Sequence, residues 1–119
     1  MQNVGVDIVE IPRIEAALAR WGERFLFHVY TPAEITFCRG RVPELAARFA
    51  GKEAVSKALG TGRRGVSWRE MEILSEESGK PFVQLHGRAQ SRADTLQLTS
   101  FAISLSHTAD LAIAFVVAS

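Results

Sequence analysis

Apolar and polar positions alternate over residues 3–10. Val4, Val6 and Ile8 fall on one face and Gly5, Asp7 and Val9 on the other, which predicts a strand carrying a carboxylate within it. Pro12 suits the first turn of a helix. Ile14, Ala17, Leu18 and Trp21 then recur at i, i+3, i+4 and i+7, so an amphipathic helix is predicted to end near Gly22 with this stripe facing inward. Thr31-Pro32-Ala33-Glu34 combines an N-cap, a first-turn proline and a first-turn acid. It predicts a short helix ending near Gly40. Residues 43–59 hold five alanines and stop at Gly60-Thr61-Gly62, the pattern of a long helix with a glycine C-terminal cap.

The second half reads differently. Residues 66–75 and 81–86 have strand character, and Glu76-Glu77-Ser78-Gly79-Lys80-Pro81 between them predicts a hairpin. Residues 87–95 suit a short helix. Over residues 99–106, Phe101, Ile103 and Leu105 alternate with Ala102, Ser104 and Ser106, predicting another strand. A turn over residues 107–110 leads to a last strand, Leu111–Ala118. The resulting expectation is an α+β fold, a single domain over 1–119, with a mainly antiparallel sheet packed against the long helix. In the last strand Leu111, Ile113, Phe115 and Val117 share one face and Ala112, Ala114, Val116 and Ala118 the other. Both faces are apolar. Either the strand lies between helices and sheet, or a neighbouring subunit covers one side of it.

Composition narrows the function classes. With 119 residues, 47% hydrophobic and 23% charged, the chain has the make-up of an ordinary globular domain and excludes disordered and low-complexity classes. Net charge is +1, so nucleic-acid binding through bulk charge is not expected. The 14 basic residues are 11 Arg and 3 Lys, a bias toward forked contacts with phosphate and carboxylate. Cys38 is the single cysteine, which excludes an internal disulfide framework and fits a reducing, cytoplasmic setting. No signal peptide is expected from the first residues. The apolar run Leu111–Ala118 is far short of the roughly 20 residues of a membrane-spanning helix.

Several residues have more than one reading. Glu53 and Lys57 at i, i+4 suit a surface ion pair. Asp7, flanked by Val6 and Ile8, is either solvated or paired with a cation. Asp7 and Glu53 together suit a hard divalent cation such as Mg²⁺, whose other positions go to water and phosphate oxygens. Gly60-Thr61-Gly62 serves equally as a helix stop, and His107 at a strand end as a structural residue. Arg13, Arg20 and Arg24 fall within about 40° of each other at ~100° per residue, provided the helix runs through Gly22. That row is either a solvated face or a docking surface for an acidic protein.

Taken together, Gly5-Val6-Asp7, the stretch Arg48-Phe49-Ala50-Gly51-Lys52-Glu53-Ala54-Val55-Ser56-Lys57-Ala58-Leu59-Gly60-Thr61-Gly62, the turn Gly79-Lys80-Pro81 and Ser104-Leu105-Ser106-His107 resemble the holo-(acyl-carrier-protein) synthases, the short bacterial 4′-phosphopantetheinyl transferases. The resemblance covers nearly the whole chain. It implies a homotrimer with sites at subunit interfaces. It also implies Mg²⁺-dependent transfer of phosphopantetheine from coenzyme A to a serine of apo-acyl carrier protein, with release of 3′,5′-ADP, in support of fatty acid biosynthesis. On this resemblance Asp7 and Glu53 are the metal ligands, and Asp7, Glu53 and Lys57 the catalytic group. Arg48, Ser56, Lys57, Gly60, Lys80, Pro81, Phe82, His107 and Thr108 contact coenzyme A, while Arg13, Arg20 and Arg24 grip the carrier. Arg48 precedes Lys57 by nine residues and so points to the opposite side of the helix. If both bind coenzyme A, Arg48 comes from a neighbour, as do His107, Thr108 and the Lys80-Pro81-Phe82 turn. Two departures stand out. Gly51 replaces an alanine common at that position, and Arg63-Arg64-Gly65-Val66 matches no family pattern. The alternative from another class is a non-catalytic oligomeric module that binds an acidic protein through its Arg-rich first helix.

Overall fold

A computed structural model describes residues 2–62 and 64–119; Arg63, in the segment Arg63-Arg64-Gly65-Val66, lies outside the described residues. The chain runs β1 (Asn3–Glu10), α1 (Ile11–Trp21), α2 (Glu23–Val29), α3 (Pro32–Cys38), α4 (Val42–Leu59), a 3₁₀ turn (Trp68–Glu70), β2 (Met71–Ser75), β3 (Pro81–Leu85), α5 (Gly87–Thr95), β4 (Phe101–His107) and β5 (Leu111–Ala118). A three-stranded antiparallel sheet has the order β1-β5-β4, and β2 and β3 form a separate antiparallel hairpin. The α+β class, the hairpin, α5 and β5 agree with the sequence expectation.

Small side chains set the distance between layers. On the inner face of β5, Ala112, Ala114, Val116 and Ala118 are fully buried, as are Ala46, Ala50 and Ala54 on α4. With so little side chain between them, helix and sheet pack closely. β1 comes closer still. A Cβ at Gly5 would overlap the carbonyl oxygen of Ala54 and lie 3.1 Å from the amide nitrogen of Ala58. The Asn3 side-chain amide also donates to the Ala58 carbonyl at 2.9 Å, so the strand is tied to the helix at polar as well as apolar points.

Gly51 has a different environment. A Cβ there would lie 3.3 Å from the side-chain ends of Ile73 and Ile103. Its close approach is to the core between the two sheets.

Three local expectations are corrected. The first helix does stop at Gly22 (φ 56°, ψ −131°), but a second helix, α2, follows at once. Its short apolar run Phe25-Leu26-Phe27 carries too little periodicity to stand out. Trp21 does not face inward: it is 47% exposed while Ile14 is 4% exposed, because the helix ends there, beyond the edge of the core. Finally, the strand expected from residue 66 starts at Met71. Val66 and Trp68 are buried and mimic strand alternation, but a capping box between Ser67 and Glu70 winds this segment into a 3₁₀ turn.

Among the described residues, no helix lies over the outer face of the three-stranded sheet. Val4 (60% exposed), Ile8 (60%) and Phe115 (47%) stand on it with Val6, Leu111 and Ile113.

Two alanine substitutions are expected to part company. Gly5→Ala should lower unfolding stability by about 3 kcal/mol, because the new methyl meets rigid backbone. Gly51→Ala should be close to neutral, since it meets flexible side-chain ends and gains about 1 kcal/mol of helix propensity. Urea unfolding of both variants checks this, and a wild-type midpoint for Gly5→Ala contradicts the packing described.

Candidate active site

β1 and α4 bring their acids to one place. Gly5 lets β1 lie on α4, and Asp7, two residues on, shares the inward face of the strand. Asp7 and Glu53 line the same cavity of about 380 Å³, whose wall also includes Arg13, Ile14, Phe25 and Phe49. Lys57, one turn after Glu53, reaches across to β1. Its Nζ donates to the Val6 carbonyl at 2.9 Å and to Asp7 Oδ1 at 3.2 Å. The Lys57 side chain is 51% exposed and that of Asp7 18%, so a half-exposed cation is tied to one of the two carboxylates that line the pocket. Such a pocket combines hard oxygen donors for a small divalent ion with a positive group for an anionic substrate.

Arg48 lies on the other side of α4, as the nine-residue spacing requires. Its Nη2 donates to Ser75 Oγ at 2.7 Å. It lines a second cavity of about 220 Å³, together with Pro81 and His107. The structure therefore joins Arg48, Pro81 and His107, and separates them from the Asp7 cavity. Lys80, Phe82 and Thr108 flank this second cavity in sequence. The Thr108 hydroxyl accepts from the amides of Asp110 and Leu111 at 3.3 and 3.1 Å and so shapes the turn after His107. Gly60 caps α4 in the left-handed conformation. Ser56 is fully buried and its hydroxyl donates to the Glu53 carbonyl at 2.7 Å. It is turned into the helix, because its position on α4 faces the core.

The predicted arginine row is divided between two helices. Arg13 reaches the Asp7 cavity. The break at Gly22 puts Arg24 on α2, and the Arg20 and Arg24 guanidinium carbons lie 4.8 and 5.7 Å from the centre of the Trp21 ring. An exposed indole flanked by two cations replaces the continuous basic stripe.

A family model described as the 4′-phosphopantetheinyl transferase superfamily matches residues 3–116. The chain belongs to this superfamily. Among curated relatives, the holo-(acyl-carrier-protein) synthase of Herpetosiphon aurantiacus is 50% identical over 98% of each chain. That of Dehalococcoides mccartyi is 51% identical over 99% of this chain and 98% of its own. The crystal structure of Helicobacter pylori holo-(acyl-carrier-protein) synthase in complex with coenzyme A superposes with a TM-score of 0.90 at 36% identity, covering 98% of this chain and 99% of that one.

In this phosphopantetheinyl transferase chain, a buried polar cluster behind the site was not foreseen from sequence. Lys52 and Glu34 are both fully buried and pair at 2.8 Å. Lys52 Nζ also donates to the carbonyls of Met71 (2.8 Å) and Trp68 (3.1 Å). Glu34 accepts from the amides of Thr31 (2.8 Å) and Ile73 (2.7 Å). Burial pulls the Lys52 ammonium below its ordinary range, against the charge of Glu34 and the hydrogen bond to it. Nearby, the Glu72 carboxylate accepts from the Thr31 hydroxyl and lies 2.9 Å from His86 Nε2. Burial pushes the Glu72 carboxyl up, but these hydrogen bonds and the charges of His86 and Lys52 hold it below its ordinary range. The only sequence signal was Glu34 as a first-turn acid. Its capping role is real, and the same carboxylate anchors Lys52.

Removing one partner of the buried pair leaves an uncompensated charge. Lys52→Met is expected to cost about 3–5 kcal/mol, and the Lys52→Met/Glu34→Gln double variant less than the sum of the singles. Denaturant unfolding of the four proteins in the cycle measures this; full additivity would contradict the coupling.

Proposed function

We propose that the protein transfers the 4′-phosphopantetheine group of coenzyme A to a serine hydroxyl of apo-acyl carrier protein, releasing 3′,5′-ADP. The observation that carries this reading is the meeting of Asp7 and Glu53 in one cavity, with Lys57 bonded to Asp7. Family membership and the names of close relatives support it. The alternative of a purely binding module needs neither carboxylate.

The donor set fits Mg²⁺. Two carboxylates supply hard oxygens. Among the described residues there is no cluster of three or more His, Cys, Asp or Glu, so most positions on the ion are left to water and phosphate oxygens. Asp7 and Glu53 would hold the ion, which when bound neutralises the pyrophosphate and stabilises charge on the leaving phosphate.

The serine oxygen attacks the phosphorus that carries pantetheine, and the bond from that phosphorus to the bridging oxygen of 3′,5′-ADP breaks. Glu53 takes the serine proton, directly or through a held water, and Lys57 offsets charge on the leaving oxygen and protonates it. Positioning and electrostatics supply most of the acceleration, as in phosphoryl transfer generally.

Coenzyme A bridges two subunits of a homotrimer. Lys57 and Gly60 come from one, and Arg48, Lys80, Pro81, Phe82, His107 and Thr108 from its neighbour. The support is the location of Arg48 and Lys57 on opposite sides of α4 and the uncovered apolar face around Ile8 and Phe115. Burying such a face gives about 25 cal/mol per Å². Arg13, Arg20 and Arg24 receive the acidic carrier. No helix among the described residues is long and apolar enough to cross a membrane. Burial pushes the Cys38 thiol up to about 11. We assign the reaction to the cytoplasm and to fatty acid biosynthesis.

Incubation with coenzyme A, Mg²⁺ and apo-carrier should add one phosphopantetheine mass to the carrier; no gain would favour the binding module. Asp7→Ala and Glu53→Ala should each slow turnover by roughly 1,000-fold or more while the oligomer persists. Normal rates in both would remove the metal assignment. Arg13→Glu should raise the KM for carrier roughly tenfold, far more than that for coenzyme A; equal effects would contradict the docking face. Phe115→Asp should yield monomers in sedimentation and abolish transfer; an active monomer would refute the shared site.

A further inference from the structure

Arg48 is held in an unusual state. Its side chain is only 2% exposed, yet its contact with Glu44, one turn earlier on α4, is a long 3.4 Å. Among the described residues, Arg48 Nε is buried without a hydrogen-bond partner. A buried donor left unsatisfied costs stability, and Nη1 keeps only a long bond to Glu44. Two further groups hold the guanidinium. Ser75 Oγ accepts from Nη2 at 2.7 Å. The Phe37 ring takes the face of the guanidinium, whose central carbon lies 4.2 Å from the ring centre.

Phe37 is itself anchored. It sits at the end of α3, and Arg41 donates to its carbonyl at 2.7 Å while the Arg41 guanidinium carbon lies 5.6 Å from the ring centre. The ring remains 40% exposed and lines the same cavity as Arg48, Ser75 and His107. An aromatic face binds a cation without neutralising it. The result is a fixed guanidinium whose charge is only partly spent on its own carboxylate, beside a second potential donor, His107. Such a group is suited to an anion from outside the chain.

We infer that Phe37 is a positioning residue: it fixes the Arg48 guanidinium, whose bond to Glu44 is long, ready for a phosphate, namely the phosphate on the ribose of coenzyme A. The identity of the anion rests on the reaction proposed above. There the pyrophosphate belongs with Asp7 and Glu53, and the ribose phosphate is the remaining anionic group of that substrate. Phe37 acts through Arg48, by orientation and by keeping the charge available.

Calorimetric binding of coenzyme A and of 3′-dephospho-coenzyme A separates this role from a general structural one. The wild type should bind coenzyme A roughly tenfold or more tightly than the dephospho form. Phe37→Ala should weaken coenzyme A binding by about five- to tenfold and change the dephospho form by less than twofold. Phe37→Tyr, which keeps the ring, should restore the contrast, and Arg48→Gln should erase it. Equal weakening of both ligands by Phe37→Ala, an unchanged ratio, or a wild type that does not distinguish the ligands would overturn the inference. Transfer to apo-carrier by the wild type is scored separately. If the contrast behaves as expected but no transfer occurs, the reaction falls and the Phe37 assignment stands.

Discussion

The missing side chain of Gly5 is the constraint on which the site depends. It lets β1 lie against the backbone of α4, near enough that any Cβ would strike the Ala54 carbonyl. Strand periodicity then puts Asp7 on the same inward face, about 6.6 Å further along. On the helix, Glu53 and Lys57 immediately precede the contact residues Ala54 and Ala58. One contact therefore sets both the packing of the sheet layer and the approach of the two acids and the lysine. A larger residue at position 5 moves the strand, and the carboxylate moves with it.

α4 is held from behind by the Lys52–Glu34 pair. A lysine ammonium has three donors, and all three are used here, on Glu34, Trp68 and Met71. Burying two charges is a poor source of net stability. Its effect is specification. Only one depth and rotation of α4 against α3, the 3₁₀ turn and β2 satisfies every bond. The helix that bears Glu53, Lys57 and Arg48 is thereby fixed on a rigid support, which catalysis by positioning requires.

A helix nearly buried along its length must present its chemistry at its margins. One margin faces β1 and carries Lys57; the other faces the β2–β3 hairpin and carries Arg48. The two cavities do not merge within one chain. The outer face of the sheet is left apolar and uncovered. The separation of the two cavities and the bare face have the same geometric root: one long helix lies on one side of a narrow three-stranded sheet, and among the described residues nothing covers the other side. In the proposed trimer, covering the sheet and joining the half-sites are a single event.

The sequence alone determined the features that depend on local or periodic rules. These are the alternation in β1, β4 and β5, the N-cap at Thr31, the glycine stop after α4, the hairpin turn, and the motif that marks Asp7, Glu53 and Lys57. The opposed directions of Arg48 and Lys57 also followed, because helical rotation depends only on residue spacing. The tertiary structure decided the rest. Glu34 reads as a first-turn acid and Lys52 as one residue of the family motif; that both are buried depends on partners 18 residues apart. Trp21 fits an inward stripe, but the core ends before it does. Val66 and Trp68 alternate like a strand, yet a capping box winds them into a turn. The Phe37 contact with Arg48 joins two helices across a loop. Periodicity says which face of an element is apolar; only the packed neighbours decide how far that face is covered and which charges lose their water.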